Sequence, residues 1–164
     1  MEKNHNWIWF FAALVVLGLA AVAINWAYNA RRQLTMEQLI AAEDLWDKHG
    51  PTDYDLVVEK TIQSASASEP MRDRIEVKVR KRNVVDATIN GGPIPHRVWN
   101  ENDLPAWFGF VERFMQIDSA PGAPRTFHAA EFDPKTGQLL QFIRSVSLTR
   151  ERQELILRLT PVTD

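Results

Sequence analysis

Four histidines, His5, His49, His96 and His128, are the first side chains to weigh for acid–base or metal chemistry, because imidazole titrates near neutrality. Their spacing offers little. His5 precedes an apolar run, His96 follows Pro95 with no partner nearby, and His49 ends a helical pattern where the helix dipole favours it. His128 falls in an alternating segment, sharing a face with Ala130 and Phe132 while Glu131 and Asp133 point away. His128-x-x-Glu131 therefore cannot close on one metal ion as it could on a helix. With no cysteine in 164 residues, thiolate catalysis, Cys-ligated zinc, iron–sulfur clusters and disulfides are excluded. Phosphate-loop, dinucleotide, serine-elbow and zinc-protease motifs are absent as well. No catalytic residue, metal or cofactor is expected from these features.

Charged residues carry two further patterns. Asp53 and Asp55 flank Tyr54 and share a face, an arrangement that can do acid–base work when the two environments differ. A simpler use is structural: Asp55 and Glu59 can meet Arg74, Lys78 or Arg80 across a strand pair. Arg72, Arg74, Lys78, Arg80 and Arg82 form a basic stripe with only Glu76 among them. On a tethered domain such a stripe is a candidate site for a polyanionic surface, either lipid headgroups or an acidic partner. Nucleic acid is not expected. Setting aside residues 1–32, with Lys3, Arg31, Arg32 and Glu2, leaves 16 basic against 20 acidic residues, a net of −4.

The elements that must position these groups follow from periodicity. Thr35-Met36-Glu37-Gln38 reads as a capping box, with Leu39, Ala42, Trp46 and His49 at helical spacing before Gly50-Pro51 stops the helix. Tyr54, Leu56, Val58 and Ile62 alternate inward, then Ile75, Val77 and Val79 on a second strand. A tight turn near Arg82-Asn83 returns the chain into Val84–Ile89, and Asn90-Gly91-Gly92-Pro93 ends that strand. Asn102 or Asp103 caps a second helix with Pro105 in its first turn. Its apolar stripe is Leu104, Trp107, Phe108, Val111, Phe114 and Met115, broadened by Phe110 and Ile117. Strands are then predicted over 126–132, 138–148 and 152–160, the first two joined by Asp133-Pro134-Lys135-Thr136-Gly137, in which glycine supplies a positive φ. The expectation is an α+β domain of order α-βββ-α-βββ, a curved antiparallel sheet packed on helices.

An apolar segment precedes this domain. Trp7 to Tyr28 is 22 residues, about 33 Å as a helix, against a hydrocarbon core of ~30 Å. Trp7 and Trp9 at one end and Trp26 and Tyr28 at the other match two interfacial belts, and Arg31 and Arg32 close the segment. A cleaved signal peptide is the rival reading, with Ala21-Val22-Ala23 as an A-x-A pattern, although Lys3 alone makes the leading region basic. Small residues at Ala13, Gly18, Ala21 and Ala27 would also let a partner helix approach. The predicted organisation is a tail over 1–6, a transmembrane anchor over 7–30, a juxtamembrane helix within 31–49 and an α+β domain over 50–164 that packs with helix 35–49. Charge alone does not set the membrane orientation.

Several short motifs resemble a group of bacterial membrane-anchored envelope domains of unknown function. They are Ala30-Arg31-Arg32-Gln33-Leu34-Thr35 after an anchor, and Trp46 ahead of Gly50-Pro51-Thr52-Asp53-Tyr54-Asp55-Leu56. The basic hairpin Val79-Arg80-Lys81-Arg82-Asn83-Val84-Val85, the aromatic pair Trp107-Phe108 and the Asp133-Pro134 turn complete the likeness, which runs from Ala30 to about Val146. This chain lacks the cysteines that many members carry near the first hairpin. The resemblance implies a single-pass protein of the cytoplasmic membrane whose domain lies on the extracytoplasmic side. It carries over no catalytic residue.

The expected function is therefore a binding or accessory module, its partners the lipid bilayer and a membrane or envelope protein complex. Two alternatives stand beside it. One is an enzyme of unrecognised type using Tyr54, His96 or His128 in a sheet pocket; the other is a structural subunit of a membrane complex.

Overall fold

The computed structural model describes residues 9–21 and 33–162. Two compact units divide between Gln33 and Leu34. The first contains a helix over 9–21, all of whose side chains are exposed. Among the described residues no helix is long and apolar enough to cross a membrane. Of the expected interfacial residues, Trp9 is described and 76% exposed. Trp7, Trp26, Tyr28, Arg31 and Arg32 lie outside the described residues, as does most of the A-x-A pattern.

In the second unit, helix α1 (Met36–His49) leads into strands β1 (Tyr54–Gln63), β2 (Met71–Arg80), β3 (Asn83–Ile89) and β4 (Gly92–Pro93). A 3-10 turn (His96–Glu101) and helix α2 (Leu104–Asp118) follow, then β5 (Thr126–Phe132), β6 (Leu139–Val146) and β7 (Arg152–Pro161). The seven strands form one antiparallel sheet in the order β4-β3-β2-β1-β7-β6-β5. Each half is a local meander, and the halves join where β1 pairs β7 from Tyr54↔Pro161 to Gln63↔Arg152.

This is the α+β class expected, with two additions to the element order. Asn90 and Gly91, both at positive φ, make a two-residue turn after β3, and Gly92-Pro93 pairs back on Thr88 and Ile89. Pro93 is tolerated there because β4 is an edge, where a missing N–H breaks no ladder. The 3-10 turn is the second addition, between β4 and α2, where no element is expected from the sequence. β6 also stops at Val146 rather than continuing to Leu148, whose φ of +65° lies outside strand geometry.

The core lies between one sheet face and the helices. Leu56 and Val58 from β1, Val77 and Val79 from β2, and Leu155 and Leu157 from β7 meet Leu104, Trp107, Phe108 and Val111 of α2. Leu39, Ala42 and Trp46 add the buried stripe of α1. Thr35 caps α1 in a full capping box, its hydroxyl accepting from Gln38 N–H while the Gln38 side chain accepts from Thr35 N–H. Asp103 caps α2, accepting from Ala106 N–H at 2.9 Å. Gly50 is used for closeness rather than for positive φ: a Cβ there would stand 2.6 Å from the Trp46 ring. At Gly137 both reasons apply. Its φ is +74°, and a Cβ would overlap the Ala42 carbonyl oxygen, so the β5–β6 turn can lie against α1.

Candidate functional site

Asp118 sits in the last turn of α2, where a carboxylate opposes the helix dipole. What holds it there is Arg144 from β6, whose Nε donates to Oδ2 at 2.6 Å and whose second guanidinium nitrogen donates to Oδ1 at 2.7 Å. His128 from β5 places Nε2 2.8 Å from the same Oδ2. The register pairs His128 with Arg144 directly across the strands, so both imidazole and guanidinium face the helix end. Glu151, from the β6–β7 turn, accepts from Arg144 on the more open side. Phe114 lies under the guanidinium at 5.0 Å, and Phe142 stacks beside His128.

Burial pushes the Asp118 carboxyl up, but the hydrogen bonds from Arg144 and His128 outweigh it and hold the group below its usual range. Arg144 is held above its ordinary value, chiefly by the hydrogen bond to Asp118. The side chains of Asp118, His128 and Arg144 are only 4–7% exposed. Titratable groups therefore converge here within the core, not in a cleft. Among the described residues no three His, Asp or Glu side chains could hold a metal. Between Asp118 and Glu151 the cation is already Arg144.

Sequence reasoning singled out His128 but missed Asp118, Arg144 and Glu151. One signal was available. Arg144 occupies an inward slot between Phe142 and Val146, and a charge on a covered face requires a partner.

A second constellation lies at the other end of the sheet. Trp46, Asp47, Pro51, Tyr54, Arg82, Asp103 and Pro105 line a cleft of about 40 Å³, room for a few waters. Tyr54 meets the Trp46 ring edge-on at 5.6 Å, and its hydroxyl takes a long bond from Leu104 N–H at 3.5 Å. Burial drives the Tyr54 phenol up to about 12. Desolvation also raises the Asp103 carboxyl. The three groups proposed for an enzyme do not meet: Tyr54 lines this cleft, His128 belongs to the ionic cluster, and His96 lies against Trp99 at 4.4 Å with the rings tilted by 53°.

The basic stripe is largely neutralised. Arg74 pairs with Glu59 at 3.5 Å and Glu76 at 2.8 Å, and Arg80 with Asp55 at 2.8 Å. Lys78 reaches Asp86 on β3 rather than an acid on β1. Arg82 departs from the stripe altogether. It follows Lys81 in a turn where both φ are positive, and its guanidinium donates to Asp47 O at 2.9 Å beside the cleft. Arg72 alone among the five is exposed on β2 without an ion pair among the described residues. The Asp53–Asp55 pair is structural as well, since Asp53 accepts from the Thr52 hydroxyl and Lys81 N–H while Asp55 holds Arg80.

Comparisons with known protein families, with curated proteins and with solved structures find no match.

Proposed function

We propose that the chain is a single-pass, membrane-anchored binding or accessory module of the bacterial cell envelope. Segment 7–30 is the anchor, and the α+β domain stands on the extracytoplasmic side of the cytoplasmic membrane, the setting that the resemblance implies. The observation supporting this reading best is the surface of helix 9–21. Its eight large apolar side chains, from Trp9 to Leu19, are 48–76% exposed, and no charged residue interrupts them. A helix apolar all round belongs in lipid or protein interior, because each Å² left in water costs about 25 cal/mol.

What supports a binding role over an enzyme is how the domain uses its polar groups. Its most convergent cluster is enclosed, and Arg74, Lys78 and Arg80 on the outer face of β2 are paired with neighbouring carboxylates. The His128–Asp118 contact is the observation that would favour an enzyme of unrecognised type, but 4–7% exposure offers no route for a substrate. Alkaline carbonate extraction of membranes containing the full chain tests the anchor. Retention in the pellet is expected; release with peripheral proteins would overturn the reading.

A further inference from the structure

We propose that the domain lays one end of its sheet on an anionic bilayer surface, through the β6–β7 turn, the start of β2 and the C-terminus of α2. The proposal rests on the anchored reading above and names the surface that reading leaves open.

The chain enters the domain at Leu34, which is buried and donates its N–H to the His128 carbonyl at 2.8 Å. His128 is two residues, about 7 Å, from the first residue of β5. Register places the other segments at this same end. Thr126 opposes Val146 at the close of β6, Arg152 at the start of β7 opposes Gln63, and Ile62 opposes Met71. Asp118, at the end of α2, reaches His128. The polypeptide leading to the apolar N-terminal segment therefore joins the domain at the end that carries these tips.

Their chemistry suits a headgroup region. Leu148 is fully exposed at the tip of the β6–β7 turn, held at φ +65°, a conformation that a branched aliphatic residue rarely adopts. Met71 is 55% and Ile117 52% exposed. Among them stand Arg72, Arg125 and Arg150, exposed and with no ion-pair partner among the described residues. Against them are Glu69 of the β1–β2 loop and Glu151 of the β6–β7 turn, the latter already paired with Arg144. The contrast with Arg74, Lys78 and Arg80 matters, because those cations already hold carboxylates. Free guanidiniums suit lipid phosphate, which they grip bidentately, and short apolar side chains between them can enter the interface. The Asp133–Gly137 turn, at the opposite end of β5, offers Lys135 but no large apolar side chain.

The chain's lack of cysteine allows single-site labels. The full chain is reconstituted in phosphatidylcholine–phosphatidylglycerol vesicles as Leu148→Cys, Ile117→Cys and, for the distal end, Lys135→Cys. Each carries an environment-sensitive fluorophore, and nitroxide-labelled lipid is the quencher. Labels at 148 and 117 are expected to be blue-shifted and quenched, and the label at 135 to remain in water. Replacing Arg72, Arg125 or Arg150 by Gln should reduce the ratio of contacting to detached domain roughly fivefold each, and vesicles of phosphatidylcholine alone should abolish most of the contact. Chain that stays in the vesicles with 148 and 117 as unquenched as 135 overturns the proposal and leaves the anchor intact. Labels shielded from water but insensitive to the lipid quencher also overturn it, pointing to protein–protein burial. Chain that washes off the vesicles defeats the anchor and the proposal together.

Discussion

Replacing Arg144 by Met keeps an unbranched stem to pack over Phe114 but removes the cation that holds Asp118. Arg144 is 7% exposed on its side chain and binds both Asp118 oxygens, at 2.6 and 2.7 Å. Without it Asp118, 4% exposed, keeps only the His128 contact. Removing one partner of a buried pair costs about 3–5 kcal/mol, a large share of a stability of about 5–15 kcal/mol. The double change Asp118→Asn with Arg144→Met removes both charges and should recover most of that loss. The pH dependence follows from the direction of the Asp118 shift. In the wild type its carboxyl is depressed, so its contribution is present above the unfolded value of about 3.9 and is lost as pH falls through the folded value. In Arg144→Met desolvation dominates and raises the carboxyl, so the deficit is smallest below the depressed wild-type value, where Asp118 is protonated in both proteins, and grows towards neutrality. Urea unfolding of the full chain in detergent micelles, followed by the fluorescence of buried Trp46 and Trp107, reads these differences. A loss under about 1 kcal/mol at pH 7, or a double variant no more stable than the single one, would refute the reasoning.

Other positions give sharper or milder effects. Gly137→Ala combines a positive φ with overlap on Ala42 and should cost about 2–4 kcal/mol, measured by the same unfolding assay. Thr35→Ala removes a capping box and should cost about 1 kcal/mol. Lys78→Ala, in an exposed pair with Asp86, should change stability by less than about 1 kcal/mol, and a larger loss would mean that the outer face is not the solvated surface described. Tyr54 should resist ionisation to about pH 12 in the folded chain, read by phenolate absorbance. Because its folded value is raised, its contribution is complete below the unfolded value near 10 and disappears through the window between 10 and 12.

What was legible in the sequence was local. Thr35 and Gln38 declared the start of α1, the alternation of Tyr54, Leu56 and Val58 gave the inward face of β1, and Asp133 with Gly137 marked a turn whose carboxylate binds the Lys135 and Thr136 N–H groups. What was not legible depended on long separations. The pairing of β1 with β7 joins Tyr54 to Pro161, and no local pattern specifies which of several amphipathic strands will meet. Asp118 and Arg144 are 26 residues apart and meet only once β5, β6 and α2 are assembled. The pairing within the basic stripe was only partly legible for a related reason. Alternation placed Arg74, Lys78 and Arg80 on one face and offered them Asp55 and Glu59, but which cation meets which acid, and that Lys78 turns to Asp86 on β3, needed the register of three strands. Leu148, in contrast, was read as part of a strand because nothing in its side chain announces a left-handed backbone.

The central claim is that residues 7–30 hold the α+β domain on the outer side of the cytoplasmic membrane. Reporters active only in the cytoplasm or only outside it, fused in turn after Asp164, test this most directly when the membrane-bound product is also weighed. The account predicts an outside signal together with a mass that retains residues 1–32. A cytoplasmic signal, or a product cleaved after the apolar segment and released from the membrane, would contradict it.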